Sequence, residues 1–477
     1  MKQAISRKNA WDNLSASLRA VASVFLRPVP APWLLGRAFR HHEGLVKAQE
    51  WWSSEEAREY QLGQLRGIVR LAYENTAYYR RVFDSVGFRP DDLRSIDDLS
   101  RLPIIDRGTI RSHVEEMCAR PTSHRSVDYC STGGTGGEPL FFYMGRERSA
   151  IEYAYLTQTW RRVGYRLGMP MAVLRGRPVR QRRNGLRHEY DPILHHHHYS
   201  SFFMSDEDLR RYLDHIGTIG TCFLHVYPST VAALAKFIRR TGVQPPVNIQ
   251  GIIAESERVY PRQREVVENT FGCRYFSCYG HSEKLVLAAE CEHSSDYHVW
   301  PTYGYFELLD ECDRPVTTPG QRGEIVGTGF INTVVPFIRY RTGDFATYVA
   351  DRCESCGRQH VIIRDIHGHR TQEVLLAADG SEIPWAAVNM HDDTFLRVRQ
   401  FQFYQDTPGR AVLRIVPAEA FRDEEREQIV RRLDEKLEGR IAIRTEIVDS
   451  IRLTARGKAI YVEQKMATRR GAGLAAT

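Results

Sequence analysis

L-R-R-Y-L-D-H-I-G-T-I at 209–219, C-F-L-H-V-Y at 222–227 and I-Q-G-I-I-A at 249–254 are followed by P-R-Q-R-E-V-V-E-N-T-F at 261–271 and R-Y-F-S-C-Y at 274–279. The first and fourth pieces carry apolar residues at helical spacing, as does Ser229–Arg240 between them. The others are short, almost unbroken apolar runs of the kind buried on both faces of a sheet. Such alternation of helix and strand predicts parallel α/β layering.

Working outward, Ser54 to about Val86 reads as one helical stretch, and residues 1–50 read as a helical preface. Within that preface Trp11, Leu14, Leu18, Val21 and Phe25 recur every three or four residues among Arg7, Lys8, Arg19 and Arg27. Downstream, Tyr303–Ala350 turns to strands and turns. After His360 a compact tail holds the strand R-A-V-L-R-I-V-P and a helix over Glu424–Leu437, the pattern of a small α+β domain. The expected division is a helical extension (1–50), a large α/β domain (51–365) and a small α+β C-terminal domain (366–477).

A chain of 477 residues with 42% hydrophobic and 26% charged residues is of globular type and long enough for several domains. No apolar run reaches the length of a membrane span, and Trp11-Asp12-Asn13 and Arg19 interrupt any secretory core. Nine cysteines without small-domain spacing predict reduced thiols and a cytoplasmic setting. A net charge of +7 is modest. The basic run Arg175, Arg177, Arg180, Arg182, Arg183 and Arg187 has no interleaved aromatics, so no nucleic-acid platform is expected. It reads as a solvated loop or as a patch for an anion. The run His195–His198 is left without a role, because neighbouring residues on a strand rarely converge on one ion.

Four stretches carry chemistry. S-T-G-G-T-G-G-E-P, Ser131–Pro139, follows one predicted strand and precedes another, Leu140–Tyr143. Its glycines (Gly133, Gly134, Gly136, Gly137) let backbone N–H groups cradle phosphate, with Ser131, Thr132 and Thr135 adding hydroxyls. It lacks the Lys-Ser/Thr of a Walker loop. Y-G-H-S-E, Tyr279–Glu283, closes a strand with a ring for stacking and a carboxylate suited to a metal–phosphate. R-Y-R-T-G-D, Arg339–Asp344, ends in an acid that can accept ribose hydroxyls. L-T-A-R-G-K, Leu453–Lys458, offers an ammonium to a developing phosphate anion. Separately, the C-E-S-C spacing of Cys353 and Cys356, with Cys291, His293 and His298 upstream, suits a metal or two inert thiols.

Taken in this order, with A-Y-Y-R-R-V-F near Ala77, L-P-I-I-D-R at Leu102, Y-P-S at Tyr227 and N-M-H-D-D-T-F at Asn389, the chain resembles the adenylate-forming acyl-CoA ligases. It is most similar to the phenylacetate-CoA ligase family and to that family's capsular polysaccharide branch. The resemblance implies that the Ser131–Pro139 loop covers the ATP phosphates. It implies that Glu257, Tyr279, Gly280 and Ser282 frame adenine and the acyl pocket, with Tyr227, Ile253, Ala254 and His281 nearby. Asp344 would take the ribose, Glu283 would help hold Mg²⁺, and Lys458 would act at the α-phosphate. The implied reaction joins a carboxylic acid to coenzyme A through an acyl-adenylate. An amine acceptor such as an amino sugar, an inactive scaffold and a nucleotide-sensing binding module are the alternatives. A structural zinc on Cys291, His298, Cys353 and Cys356 is implied by the same likeness. The family's hinge arginine is replaced by His369 in G-H-R-T-Q-E, with Arg370 as the candidate substitute. Peripheral contact with a membrane or with polysaccharide machinery stays open.

Overall fold

The computed structural model describes residues 29–119, 127–132, 140–181, 185–368, 373–390, 394–395, 397–418, 421–451 and 461–465. One twelve-stranded sheet organises the body. Its order is Gly304–Leu309, Arg322–Gly329, Tyr340–Ala350, Ile362–His367, Tyr297–Val299, Leu287–Ala289, Arg274–Gly280, Ile249–Glu255, Cys222–Val226, Met171–Leu174, His196–Tyr199 and His188–Asp191. From Arg274–Gly280 to His196–Tyr199 five adjacent strands run parallel. Every residue of Cys222–Val226 is buried, which is why that strand is continuously apolar.

Helices Asp206–Ile216, Pro228–Thr241 and Pro261–Phe271 cover one face of the parallel block through Leu209, Ile216, Val231, Leu234 and Phe271. Each of the last two ends on a glycine in the left-handed region, Gly242 (φ 72°) and Gly272 (φ 64°), where a side chain would be strained. On the opposite face Trp160, Tyr165, Ile253 and Phe276 pack together. The antiparallel half rests on helices Ser54–Asn75 and Ala77–Ser85. The sequence reads these two as one helix; they break at Thr76, which is extended (φ −126°) and closes both. Its N–H donates to the Ala72 carbonyl, and its hydroxyl accepts from Tyr79 N–H.

Arg37–Gln49 is a helix whose Phe39 and Val46 pack against Tyr155, Trp300 and Tyr303 of the body. The expected helix around Trp11–Phe25 lies outside the described residues. The tail forms a separate four-stranded sheet, ordered Ala442–Ile447, Arg410–Pro417, Val398–Thr407 and Val462–Gln464. Helix Asp423–Leu437 covers it through Ile429, Leu433 and Leu437. That core also takes in Phe202 and Tyr227, so the small sheet packs directly onto the body.

Candidate functional site

Open parallel sheets bind ligands beyond the carboxyl ends of their strands, and here those ends carry the polar side chains. Arg175 follows Met171–Leu174, Tyr227 follows Cys222–Val226, Glu257 follows Ile249–Glu255, and Tyr279 with Gly280 ends Arg274–Gly280. The Arg175 guanidinium stacks 5.3 Å from the Tyr227 ring and pairs with Glu255 at 3.0 Å. Glu255 also accepts from Trp160 Nε1 (2.9 Å) and lies 3.2 Å from His225 Nε2. Burial alone would raise the Glu255 carboxyl, but His225, Arg175 and Trp160 together hold it well below the usual carboxylate range. Burial and the neighbouring Arg175 in turn lower the basicity of His225, opposed by Glu255. This network was missed in the sequence. Its one visible signal is the doubled acid of A-E-S-E, in which Glu255 is structural.

Glu257 is placed differently. Burial pushes its carboxyl up to about 7, although it accepts from Ser229 N–H at 2.8 Å and from the Ser229 hydroxyl at 2.9 Å. Ser256 between the two acids sits at φ 73°, turning them to different partners.

The Y-G-H-S-E and R-Y-R-T-G-D stretches meet. The Tyr279 hydroxyl donates to Asp344 Oδ2 at 2.9 Å. Asp344 does not follow a simple turn: it lies within the long strand Tyr340–Ala350, next to an irregularity in the pairing with Arg322–Gly329 and after Gly343 at φ 74°. Glu283 is buried, and Ser282 is half-buried in the turn before it. Among the described residues, neither buried ring nitrogen of His281 has a hydrogen-bond partner. Burial lowers its basicity, opposed by the Glu283 and Asp344 carboxylates, so a neutral imidazole stands beside two acids. Ile253 and Ala254, by contrast, are fully buried in the sheet.

Strand Val127–Thr132 pairs antiparallel with Leu140–Gly145, so a strand precedes and a strand follows the glycine run, as expected. Residues 133–139, and with them Gly133, Gly134, Thr135, Gly136 and Gly137, lie outside the described residues, as do Arg370 and Lys458. The Ser131 hydroxyl is committed elsewhere in this arrangement: it donates to the Met390 carbonyl at 3.0 Å. This contact, and Ala387 pressed against Gly176, bring helix Trp385–Val388 of the tail to the mouth of the strand ends. A Cβ on Gly176 would meet the Tyr227 hydroxyl at 2.8 Å and the Ala387 Cα at 2.9 Å.

Three of the four described arginines of the basic run are paired with acids, and the fourth, Arg180, is exposed. Arg175 serves Glu255, Arg177 pairs with Glu189 at 3.2 Å, and Arg187 pairs with Glu438 at 3.2 Å while lying 3.4 Å from the Phe203 ring centre.

A second cluster gathers Cys291, His298, Cys353 and Cys356, whose ligand atoms all lie within 4.8 Å of one another. Strand Tyr297–Val299 supplies the histidine, placed between Leu287–Ala289 and Ile362–His367. His298 Nδ1 lies 3.1 Å from the Asp296 carbonyl and Nε2 lies 3.4 Å from Cys356 Sγ, so Nε2 is turned inward. Burial and nearby Arg162 lower His298 to about 4, leaving the neutral form that ligates. Three thiols and an imidazole are the donor set of a closed zinc site. His293 is not in the cluster; its N–H contacts Cys291 Sγ at 3.4 Å. All nine cysteines are free of disulfides. Among the described residues no helix is long and apolar enough to cross a membrane.

A family model described as the CapK C-terminal domain matches residues 381–465. Phenylacetate-coenzyme A ligase of Aromatoleum evansii is 27% identical over 64% of this chain and 70% of its own length. Protein CapK of Staphylococcus aureus is 22% identical over 76% of this chain and 80% of its own. In fold, the chain is similar to an open conformation of 2-hydroxyisobutyryl-CoA ligase in complex with 2-HIB-AMP and CoA. That likeness has a TM-score of 0.56 at 20% identity and covers 87% of this chain and 93% of that one.

Proposed function

The chain is a homologue of the phenylacetate-CoA ligases and of CapK, with the fold of an adenylate-forming ligase, and on that premise we propose that it is an ATP-dependent, AMP-forming carboxylate–CoA ligase. The observation that carries this reading is the meeting of Tyr279 and Asp344, with His281 beside them, at the carboxyl ends of the parallel strands. Two motifs far apart in sequence thereby meet at the place where such sheets bind nucleotides.

In the reaction a carboxylate oxygen of the substrate attacks the α-phosphorus of ATP and pyrophosphate leaves. The thiol of coenzyme A then attacks the acyl carbon and AMP leaves. The protein supplies position and charge. Asp344, held by Tyr279, accepts the ribose hydroxyls. The 133–137 backbone, with Thr132 and Thr135, cradles the outer phosphates; the hydroxyl of Ser131 joins only if its contact with Met390 opens. Gly280 and Ser282 line the nucleotide, Glu257 closes the acyl side, and Lys458 neutralises the α-phosphate. Mg²⁺ bound at Glu283 would screen the phosphate charge. Residues 366–477 act as the small moving domain against a body of 51–365, with Arg370 as its hinge contact. Nine free thiols suit a reducing, cytoplasmic setting.

An amine acceptor is the second reading, favoured by the CapK-type C-terminal domain. Product analysis by mass spectrometry, with coenzyme A and amino sugars supplied together, separates the two. An acyl-CoA product is expected, and an amide alone would replace it.

The thiolate cluster is proposed as a structural Zn²⁺ site. It ties the turn after Leu287–Ala289 to the Cys353–Cys356 loop and leaves no ligand position for catalysis. A C353S/C356S variant is expected to lose its thiolate-bound zinc and to unfold at lower denaturant than the parent. Full zinc retention in that variant would remove the site.

A further inference from the structure

The geometry points to a second metal site, formed by His188, His197 and His215 and taking one borderline divalent ion such as Zn²⁺, Co²⁺ or Ni²⁺. The register explains how these residues meet. Strands His188–Asp191 and His196–Tyr199 pair antiparallel with His188 opposite Tyr199 and Tyr190 opposite His197. Paired residues share a face, so His188 and His197 are diagonal neighbours on one side of the sheet edge. Helix Asp206–Ile216 brings His215 to that same side, with Tyr212 beside Tyr199 at 5.3 Å between ring centres. The His195–His198 run itself does not converge: alternate residues point to opposite faces, and only His197 joins the cluster.

One ligand nitrogen from each of the three rings lies within 4.8 Å of the other two. His188 Nε2 and His197 Nδ1 face each other at 3.0 Å, and the His188 and His215 rings are 4.3 Å apart. Metal–nitrogen bonds of about 2.0–2.1 Å put tetrahedral ligand atoms about 3.4 Å apart, so the first pair needs only a small adjustment. Without an ion the two facing nitrogens must share a proton; a bound ion takes that proton's place. The Tyr199 hydroxyl lies 2.7 Å from His215 Nδ1 and fixes that ring as outer partners fix ligating histidines, directing Nε2 to the ion. His188 is buried while His197 and His215 are half-buried, which gives a shell on one side and an entry path on the other. Three imidazoles without a carboxylate disfavour Mg²⁺ and Ca²⁺ and suit the later transition ions. The ion would clamp the edge hairpin of the sheet to its covering helix, at a place distinct from the thiolate cluster.

The test is a titration of the metal-free, tag-free full chain with Co²⁺, followed by visible absorption. Two equivalents are expected, one with thiolate-to-cobalt charge transfer and one without it. The variant H197A/H215A should lose the second equivalent alone, and C353S/C356S should lose the first alone. Y199F, which keeps all three ligands, should weaken the second by about tenfold. A wild-type chain that binds no thiolate-free equivalent, a C353S/C356S chain that binds no Co²⁺, or an H197A/H215A chain that keeps both would overturn the site. The readout is stoichiometry, so it stands apart from any ligase assay.

Discussion

The Lys458→Ala variant is expected to form acyl-adenylate about 10²–10³-fold more slowly, with little change in ATP affinity. That is the typical cost of removing one charge-stabilising donor that acts on the transition state. Transfer from preformed acyl-adenylate to coenzyme A should be affected less, because the thiol attacks the acyl carbon and the α-phosphorus is not itself attacked in that half-reaction. Residues 452–460 leave the described chain at Ile451 and return at Tyr461, both buried. Tyr461 stacks on Trp385 at 4.1 Å, in the helix that touches Gly176 beside the strand ends. The described chain therefore resumes at Tyr461 beside the helix that reaches the strand ends. Pyrophosphate release measured with saturating acid checks the point, and an unaltered rate would remove Lys458 from it.

The largest stability effect is expected at Glu50. Its carboxylate accepts from Arg162 Nε (2.9 Å), Arg358 Nε (2.8 Å) and Gln158 Nε2 (2.6 Å). The side chains of Glu50, Arg162 and Arg358 are at most 2% exposed. Removing the acid strands positive charge in the interior, at a cost of about 3–5 kcal/mol. Arg358 keeps its pair with Glu292, so Arg162 bears most of the loss. Glu50→Ala should therefore lower the urea midpoint sharply, and adding Arg162→Met should restore part of it. A loss below about 1 kcal/mol would mean that water reaches the network.

The parallel core was legible because burial on both faces leaves unbroken apolar runs, and its predicted elements fall within a few residues of those observed. Pro261–Phe271 matches residue for residue. The break at Thr76 was not legible, since its neighbours carry helical spacing on both sides and only the double use of Thr76 as a cap divides them. The pairing of Arg175, Arg177 and Arg187 was not legible for a related reason: their acids, Glu255, Glu189 and Glu438, are brought to them by the fold, and Glu438 is 251 residues from Arg187. Motif chemistry gave Tyr279 and Asp344 separately, and only the bulged strand joins them. The choice of His298 over His293 rested on likeness, whereas the strand position of His298 supplies a physical reason. The three-histidine cluster needs a diagonal strand pair and a helix packing, neither of which sequence spacing encodes.

Carboxylate-dependent exchange of labelled pyrophosphate into ATP, run over a panel of acids without coenzyme A, tests the central claim most directly. Exchange with at least one acid, reduced about 10- to 100-fold by Asp344→Ala at limiting ATP as a charged hydrogen bond is lost, is the predicted result. No exchange with any acid, by a folded chain that still binds ATP, would contradict the account and leave a nucleotide-binding homologue without ligase activity.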